Sequence, residues 1–61
     1  MSQEFSVRIQ AETTNAILIH DFASKSDVWL PLSQVDEIHR QKDGTATIVI
    51  TDWIARVKGL I

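Results

Sequence analysis

The segment KDGTATIVIT, residues 42–51, decides the fold class of this 61-residue chain. Its first part, KDG (42–44), is a turn signal, because Asp-Gly favours the type I′ turn that joins two antiparallel strands. Every residue of 45–51 except Ala46 is β-branched, and β-branched side chains favour strands. The segment therefore predicts a hairpin whose second strand spans residues 45–51, and it indicates a mainly β fold.

Two strands are predicted near the start of the chain. In residues 5–12, apolar side chains alternate with polar ones, which is the pattern of a strand with one buried face. The apolar side of this strand consists of Phe5, Val7, Ile9 and Ala11. Residues 16–19 are apolar on both faces, so we expect a central strand or one that meets a partner subunit. The mostly polar residues 23–27 predict a loop after it.

The segment DVWLPLSQV, residues 27–35, predicts a third strand that ends in a corner. Residues 28–30 favour a strand, and Pro31 stops it because proline cannot donate a hydrogen bond to a sheet ladder. A turn follows at residues 32–34. Residues 35–40 fit either a fourth strand or one helical turn followed by a strand, and we favour a short turn that leads into a strand.

The end of the chain predicts a short helix. Thr51 or Asp52 can cap its first turn, residues 53–58 are compatible with a helix, and Gly59 stands where a C-terminal cap glycine belongs. So short a helix does not hold alone in water, so we expect it to pack on the sheet. The chain, residues 1–61, is therefore predicted to be one domain: a five-stranded barrel or curled antiparallel sheet of SH3-like or OB-like proportions, with a short C-terminal helix.

Composition narrows the classes of function. A chain of 61 residues buries only about 60% of the surface that its unfolded form exposes, and this one has no cysteine for a disulfide. Oligomerisation is the remaining way to stabilise so small a domain, so we expect a homo-oligomer. Six lysines and arginines stand against eight acids, which argues against nucleic-acid binding. The chain has neither a long apolar run nor a basic start before an apolar stretch, so we expect no membrane association and a cytoplasmic location in a host cell.

Two stretches resemble a group of phage proteins. VWLPLSQV (28–35) is similar to a W-[IL]-P-x-S-Q-[IV] stretch, and TDWIARVKGL (51–60) to a closing W-[IL]-A-x-x-K-G-L, in short, mostly uncharacterised proteins of bacteriophages and mobile elements. The matching residues are Trp29, Leu30, Pro31, Ser33, Gln34, Val35, Trp53, Ile54, Ala55, Lys58, Gly59 and Leu60. Leu32 stands where the pattern has lysine. The resemblance, over about half of the chain, implies a phage-type origin and an accessory role, and it names no reaction.

The candidate ligand-binding residues are aromatic, polar and basic: Trp29, Ser33, Gln34, Arg40, Trp53, Arg56 and Lys58. Each tryptophan is either a core anchor or a platform for a base, and the anchor interpretation is favoured for Trp29 because its neighbours are apolar. Arg56 follows Trp53 by three residues, so its guanidinium can hold a phosphate beside a stacked ring. Ser33 and Gln34 can reach a ligand or satisfy the corner's own backbone.

The sequence predicts no catalytic or metal site. Ser33, Asp36 and His39 supply a nucleophile, an acid and a base, but a triad is recognised by geometry and no glycine-rich elbow surrounds Ser33. His20-Asp21 and Asp36-Glu37-x-His39 are weak metal-binding patterns, and with two histidines per chain only a site shared between subunits is worth testing. The two glycines lie too far apart for a phosphate-binding loop. We therefore expect no enzyme and no cofactor.

Three functions fit the sequence. The first is a non-enzymatic homo-oligomer that binds or sequesters a small anionic, nucleotide-like ligand, in the manner of phage proteins that counter host immune signalling. The second is a single-stranded nucleic-acid accessory protein with an OB-like face. The third is a protein–protein inhibitor of a host enzyme, which would present a sheet edge or the Trp53 helix. The first is preferred, because so short a chain cannot enclose a pocket of about 300 Å³ by itself whereas two subunits can.

Overall fold

The computed structural model describes residues 2–61, which form one antiparallel sheet and one helix. In chain order the elements are β1 (Ser2–Glu12), β2 (Ala16–Asp21), β3 (Ser26–Pro31), β4 (Val35–Arg40), β5 (Thr45–Thr51) and α1 (Asp52–Val57). The strands lie in the order β3-β2-β1-β5-β4, and a 3-10 turn at Leu32–Gln34 joins the two edge strands. The prediction of five strands and a short C-terminal helix is therefore confirmed.

The long strand β1 belongs to both halves of the sheet. Its residues 2–8 pair with β5, whereas residues 7–12 pair with β2. On a flat sheet this register would place Pro31, at the end of β3, roughly 30 Å along the strand direction from Val35, at the start of β4. The four residue steps from Pro31 to Val35 span at most about 14 Å. β1 must therefore bend, which folds one half of the sheet over the other.

An ion pair joins the ends of the two halves. Arg40, the last residue of β4, pairs with Glu12, the last residue of β1. The molecule measures 28 × 25 × 17 Å, which accommodates two sheet layers about 10 Å apart. The edge strands β3 and β4 do not pair with each other, because the 3-10 turn carries the chain between them without a ladder. Of the two predicted forms, the closed barrel is therefore wrong and the curled sheet is correct.

The inner face of the folded sheet carries the core. Its buried apolar side chains are Val7, Ile17, Ile19, Leu30, Ala46, Ile48, Ile50, Ile54, Ala55 and Leu60. Ile17 and Ile19 on β2 are fully buried within the single chain. The accessible surface of 3916 Å² also matches the value of about 4,000 Å² expected for a folded monomer of 6.9 kDa. One chain therefore completes its own core, and burial of the core does not require an oligomer.

A bulge in β1 changes which side chains face inward. Ile9 pairs with Ile19 but Ala11 pairs with Leu18, so Gln10 is an extra residue in β1. Beyond the bulge the alternation is shifted by one residue. Ala11 is consequently exposed on the outer face, and the prediction that it continues the apolar side beyond Ile9 is wrong.

The connection between β4 and β5 is a hairpin, as predicted, but not a type I′ turn. A type I′ turn needs positive φ at two positions, whereas Gly44, with φ 88°, is the one residue of this connection that has it. The amide of Gly44 donates to the carbonyl of Gln41. Asp43 instead accepts hydrogen bonds from the hydroxyl and the amide of Thr45, and these bonds lower its pKa. This use of the Asp43 carboxylate favours a turn with a single left-handed residue.

α1 begins and ends as predicted. Thr51 is its N-cap, and the hydroxyl of Thr51 accepts a hydrogen bond from the amide of Ile54 at 3.3 Å. Gly59 has φ 75°, and the amides of Gly59 and Leu60 donate back to carbonyls of the helix. This end turns Leu60 into the core. Within residues 2–61, no helix has the length and hydropathy that a membrane crossing requires.

Candidate binding surface

The predicted ligand-binding residues lie on separate parts of the fold. Trp29 is on β3, Ser33 and Gln34 are in the 3-10 turn, Arg40 is on β4, Trp53 and Arg56 are on α1, and Lys58 is its C-cap. Arg40 lies level with Ala46 at one end of β5, whereas α1 follows Thr51 at the other end. One chain therefore does not bring Arg40 and the helix residues to the same end of β5.

Arg40 also lines a pocket beside the β4–β5 hairpin. The pocket holds about 210 Å³ and is lined by Ile9, Arg40, Gln41, Gly44 and Thr45. This volume is smaller than the roughly 300 Å³ of a typical site for a drug-sized ligand. Glu12 already pairs with the Arg40 guanidinium and would compete with any anion. The pocket is therefore a poor site for a nucleotide.

Trp29 lies on the outer face of the sheet. Its neighbour Leu30 points inward and is fully buried, whereas Trp29 remains 45% exposed. The core-anchor interpretation of Trp29 is therefore wrong, because Val28 and Leu30 on either side of it take the inward positions of β3. The cross-strand partner of Trp29 is the half-buried Leu18 of β2, so an aromatic and an aliphatic side chain lie together on the outer face.

Next to this pair, β2 and β3 bring His20 and Asp27 into contact. Nδ1 of His20 lies 2.7 Å from Oδ1 of Asp27, and the side-chain amide of Gln10 donates to the same oxygen at 3.0 Å. The hydrogen bond from His20, with a smaller effect from Gln10, holds the pKa of Asp27 below its ordinary value. Because the ionised carboxylate only accepts hydrogen bonds, Nδ1 is the donor, and Nε2 can accept a hydrogen bond when the ring is neutral.

Phe22 completes an aromatic surface on the outer side of the β2–β3 hairpin. Its ring is edge-on to the ring of His20, with centroids 5.8 Å apart and an interplanar angle of 75°. Aromatic pairs favour this arrangement, which holds the imidazole in place. Phe22 is itself exposed. We call the surface formed by Leu18, His20, Phe22 and Trp29 the aromatic face.

Arg8 lies on β1 beside the aromatic face, and its guanidinium reaches towards the β4–β5 hairpin. Arg8 on β1 is the cross-strand partner of His20 and is exposed. Its Nη1 donates to the carbonyl of Asp43 at 3.3 Å. The salt bridges of the described residues 2–61 do not include Arg8. A guanidinium with five N–H donors and one backbone acceptor keeps donors for an anion.

The pairing of His20 with Asp27 was not predicted from the sequence. The sequence pattern grouped His20 with the adjacent Asp21, but Asp21 points inward, is buried and accepts the amide of Ser24 at 3.0 Å. Residues that are equally far from the middle of a hairpin loop face each other, and positions 20 and 27 satisfy this rule for the turn at 22–25. The length of the β2–β3 loop would therefore have predicted the His20–Asp27 pair if the ends of both strands had been known.

Of the three residues with triad chemistry, Asp36 and His39 have other partners. Asp36 accepts a hydrogen bond from the hydroxyl of Ser2 at 3.2 Å, and Nε2 of His39 lies 3.5 Å from Oε1 of Glu37. Ser33 lies in the 3-10 turn before β4. Within the described part of the chain, no group of three or more side chains is arranged to hold a metal ion.

α1 presents a second exposed surface. Trp53 is 65% exposed, and Arg56 lies on the same side of the helix. Lys58, by contrast, is half-buried at the end of the helix. Trp53 is therefore not a core anchor, and Ile54 and Ala55 make the contacts of α1 with the core.

No protein-family model, curated protein or solved structure matches this chain. The resemblance to phage proteins therefore stays a prediction.

Proposed function

We propose that the protein is a small non-enzymatic binding module whose aromatic face takes a planar, anionic, nucleotide-like ligand. The observation that supports the proposal most is the exposure of Trp29 and Phe22 beside an ordered His20–Asp27 pair. Folding requires no large aromatic residue at a strand position that points to solvent, because a polar residue is sufficient there. Large exposed aromatic side chains that share one face of a hairpin are typical of a binding surface.

Stacking would provide most of the affinity. An aromatic side chain that stacks on a base contributes about 1–3 kcal/mol. Trp29 offers the larger ring, and its position directly opposite Leu18 on the neighbouring strand restricts the room for that ring. Phe22 offers a second ring at the end of the same hairpin. A flat ligand such as a purine suits this surface better than a compact one.

Hydrogen bonds would select the edge of the ligand. Nε2 of His20 can accept a hydrogen bond from an exocyclic amine of a base. The side-chain amide of Gln10 donates one hydrogen bond to Asp27 and retains a second N–H and its carbonyl oxygen for a ligand. Nucleobases carry both donors and acceptors on their edges, so they match this mixed set.

Arg8 would hold the anionic group by turning from the Asp43 carbonyl towards the aromatic face, because a guanidinium binds phosphate oxygens through parallel N–H groups. One arginine beside the face, in a chain of net charge −2, suits a single phosphate better than a polynucleotide backbone. A mononucleotide is therefore preferred over single-stranded nucleic acid. For a protein of phage type, the corresponding role would be sequestration of a nucleotide signal in the host cytoplasm.

The proposal can be tested by tryptophan fluorescence. In a Trp53→Phe variant, Trp29 is the sole tryptophan, and adenosine 5′-monophosphate should quench its emission with a Kd on the order of 0.1–1 mM. In the reciprocal Trp29→Phe variant, emission from Trp53 should not change. No saturable quenching up to about 10 mM nucleotide would contradict the proposal.

The contribution of Arg8 can be tested with a matched arginine variant. Arg8→Ala should weaken binding of the nucleotide but not of adenosine, because only the nucleotide carries a phosphate. Arg56→Ala, which removes the same charge from α1, should leave both affinities unchanged. Tighter binding of oligodeoxythymidine than of the mononucleotide, with a steep dependence on salt, would instead support the nucleic-acid alternative.

A further inference from the structure

The apolar side of α1 is wider than the part that the sheet covers. Four of its six residues are apolar, but only Ile54 and Ala55 are buried. Trp53 and Val57 lie one helical turn apart and are 65% and 57% exposed. An amphipathic helix normally turns such residues towards the core. This exposed pair therefore indicates a contact surface.

Two opposite charges border this pair. Asp52 and Arg56 also lie one turn apart, next to Trp53 in the order of side chains around the helix. The salt bridges within residues 2–61 include neither of them. Oδ1 of Asp52 is buried and has no hydrogen-bond donor in the described part of the chain. Because this oxygen is buried, only the rest of the half-buried Asp52 carboxylate is open to a guanidinium from outside the chain.

These four residues are complementary in charge and packing to the same four residues of a second copy. We propose that two copies of the chain associate through α1, with the helices antiparallel about a twofold axis at the level of Ala55. Trp53 of each copy then packs on Val57 of the other. Arg56 of each copy is offset from Asp52 of the other by two residues of rise, about 3 Å, which its long side chain can span. Every contact occurs twice, as a twofold axis requires.

The exposed area indicates that the dimer is weak. Trp53 and Val57 together offer on the order of 250 Å² per copy, against about 800 Å² per partner in a stable interface. The core is complete in one chain, so folding does not depend on this contact. The account therefore predicts a folded monomer in equilibrium with a dimer, with a Kd on the order of 0.1–1 mM. A second copy of the chain is favoured as the partner of this surface because Arg56 of one copy is complementary to Asp52 of the other.

Sedimentation equilibrium over a range of concentrations tests this inference on the full chain. The wild type should show a monomer–dimer equilibrium that weakens with added salt. Arg56→Asp should raise the Kd at least about tenfold, because it places acids opposite each other across the interface. Lys42→Asp is the matched control: it makes the same change of charge in the β4–β5 hairpin and should leave the dimer unchanged.

The charge swap Asp52→Lys with Arg56→Asp should restore association, since it exchanges the two partners of each ion pair. If circular dichroism shows that the swap does not fold, Trp53→Ser replaces it, and this variant should be monomeric. A wild type that stays monomeric near 1 mM, or a dimer that Arg56→Asp leaves intact, would overturn the inference. Because α1 shares no residue with the aromatic face, this result is independent of nucleotide binding.

Discussion

The two faces of the β2–β3 hairpin carry apolar side chains in opposite situations. On the inner face, Ile17, Ile19 and Leu30 are fully buried. On the outer face, the aromatic face includes the exposed Phe22 and Trp29, which the rest of the chain leaves uncovered. The same strands therefore hold the fold together with one set of residues and offer a binding surface with the other. Variants on the two faces should consequently fail in different ways.

The largest expected difference in stability is between alanine variants of two neighbouring residues of β2. Ile19→Ala should lower the free energy of unfolding by about 2–5 kcal/mol, because it leaves a cavity in the core. Leu18→Ala, one residue earlier on the outer face, should cost less than about 1 kcal/mol. A domain of 61 residues has only about 3–9 kcal/mol of stability, so Ile19→Ala should approach global unfolding. Chemical denaturation followed by circular dichroism measures both, and equal losses would remove the distinction between the faces.

A second comparison uses neighbouring residues of β3. Trp29→Ala should weaken binding of adenosine 5′-monophosphate by about tenfold or more and change stability by less than about 1 kcal/mol. Leu30→Ala should instead destabilise the fold by about 2–5 kcal/mol. Isothermal titration calorimetry and denaturation, measured on the same samples, separate the two effects. A Trp29→Ala protein that unfolds at low denaturant would show that this side chain supports the fold.

α1 covers part of the inner face of the sheet, and the N-cap residue Thr51 stabilises this helix. Thr51→Ala should destabilise the protein by about 1 kcal/mol, because the Ile54 amide loses the Thr51 hydroxyl as acceptor. Thr47→Ala is the control on the same strand, since the side-chain hydrogen bonds within residues 2–61 do not include Thr47. Equal shifts of the melting temperature in the two variants would assign the loss to strand propensity rather than to the cap.

The smallest expected effect concerns Asp27 on the outer face. Its pKa in the folded state is lower than the ordinary value of 3.8, because of the hydrogen bond from His20. The folded state is therefore favoured above the unfolded pKa, and this contribution disappears as the pH falls through the folded pKa. Asp27→Asn should be slightly less stable than the wild type at neutral pH and equal to it in strong acid. A stability difference that does not vary with pH would contradict this assignment.

The sequence located the five strands and the helix caps, but not every strand end or the pairing between strands. β1 begins at Ser2 rather than at residue 5, β3 begins at Ser26 inside the predicted loop, and β4 is a strand from Val35 on. The alternation in β1 and the β-branched run in β5 are local patterns, so both strands were predicted closely. The bulge at Gln10 depends on pairing with β2, which no local pattern encodes. It reverses the predicted orientation of Ala11 and brings Gln10 to Asp27. The curled form of the sheet follows from the short 3-10 turn together with the register of all five strands.

The site was harder to predict for a related reason. Trp29 has apolar neighbours, which favoured a place in the core, but strand alternation turns it outward while Val28 and Leu30 point inward. His20 and Asp27 are seven residues apart in sequence and meet only through the hairpin register. Trp53 was left open between core and surface, because a helix of six residues allows either orientation until its contacts with the sheet are known.

Titration of the ¹⁵N-labelled protein with adenosine 5′-monophosphate, followed by two-dimensional ¹H–¹⁵N spectra, tests the central claim most directly. The two tryptophans give two separate indole signals. The account predicts saturable shifts of the Trp29 indole and of amides around His20 and Gln10, with the Trp53 indole and the α1 amides unchanged. No shifts, or shifts confined to α1, would contradict a ligand site on the outer face of the β2–β3 hairpin.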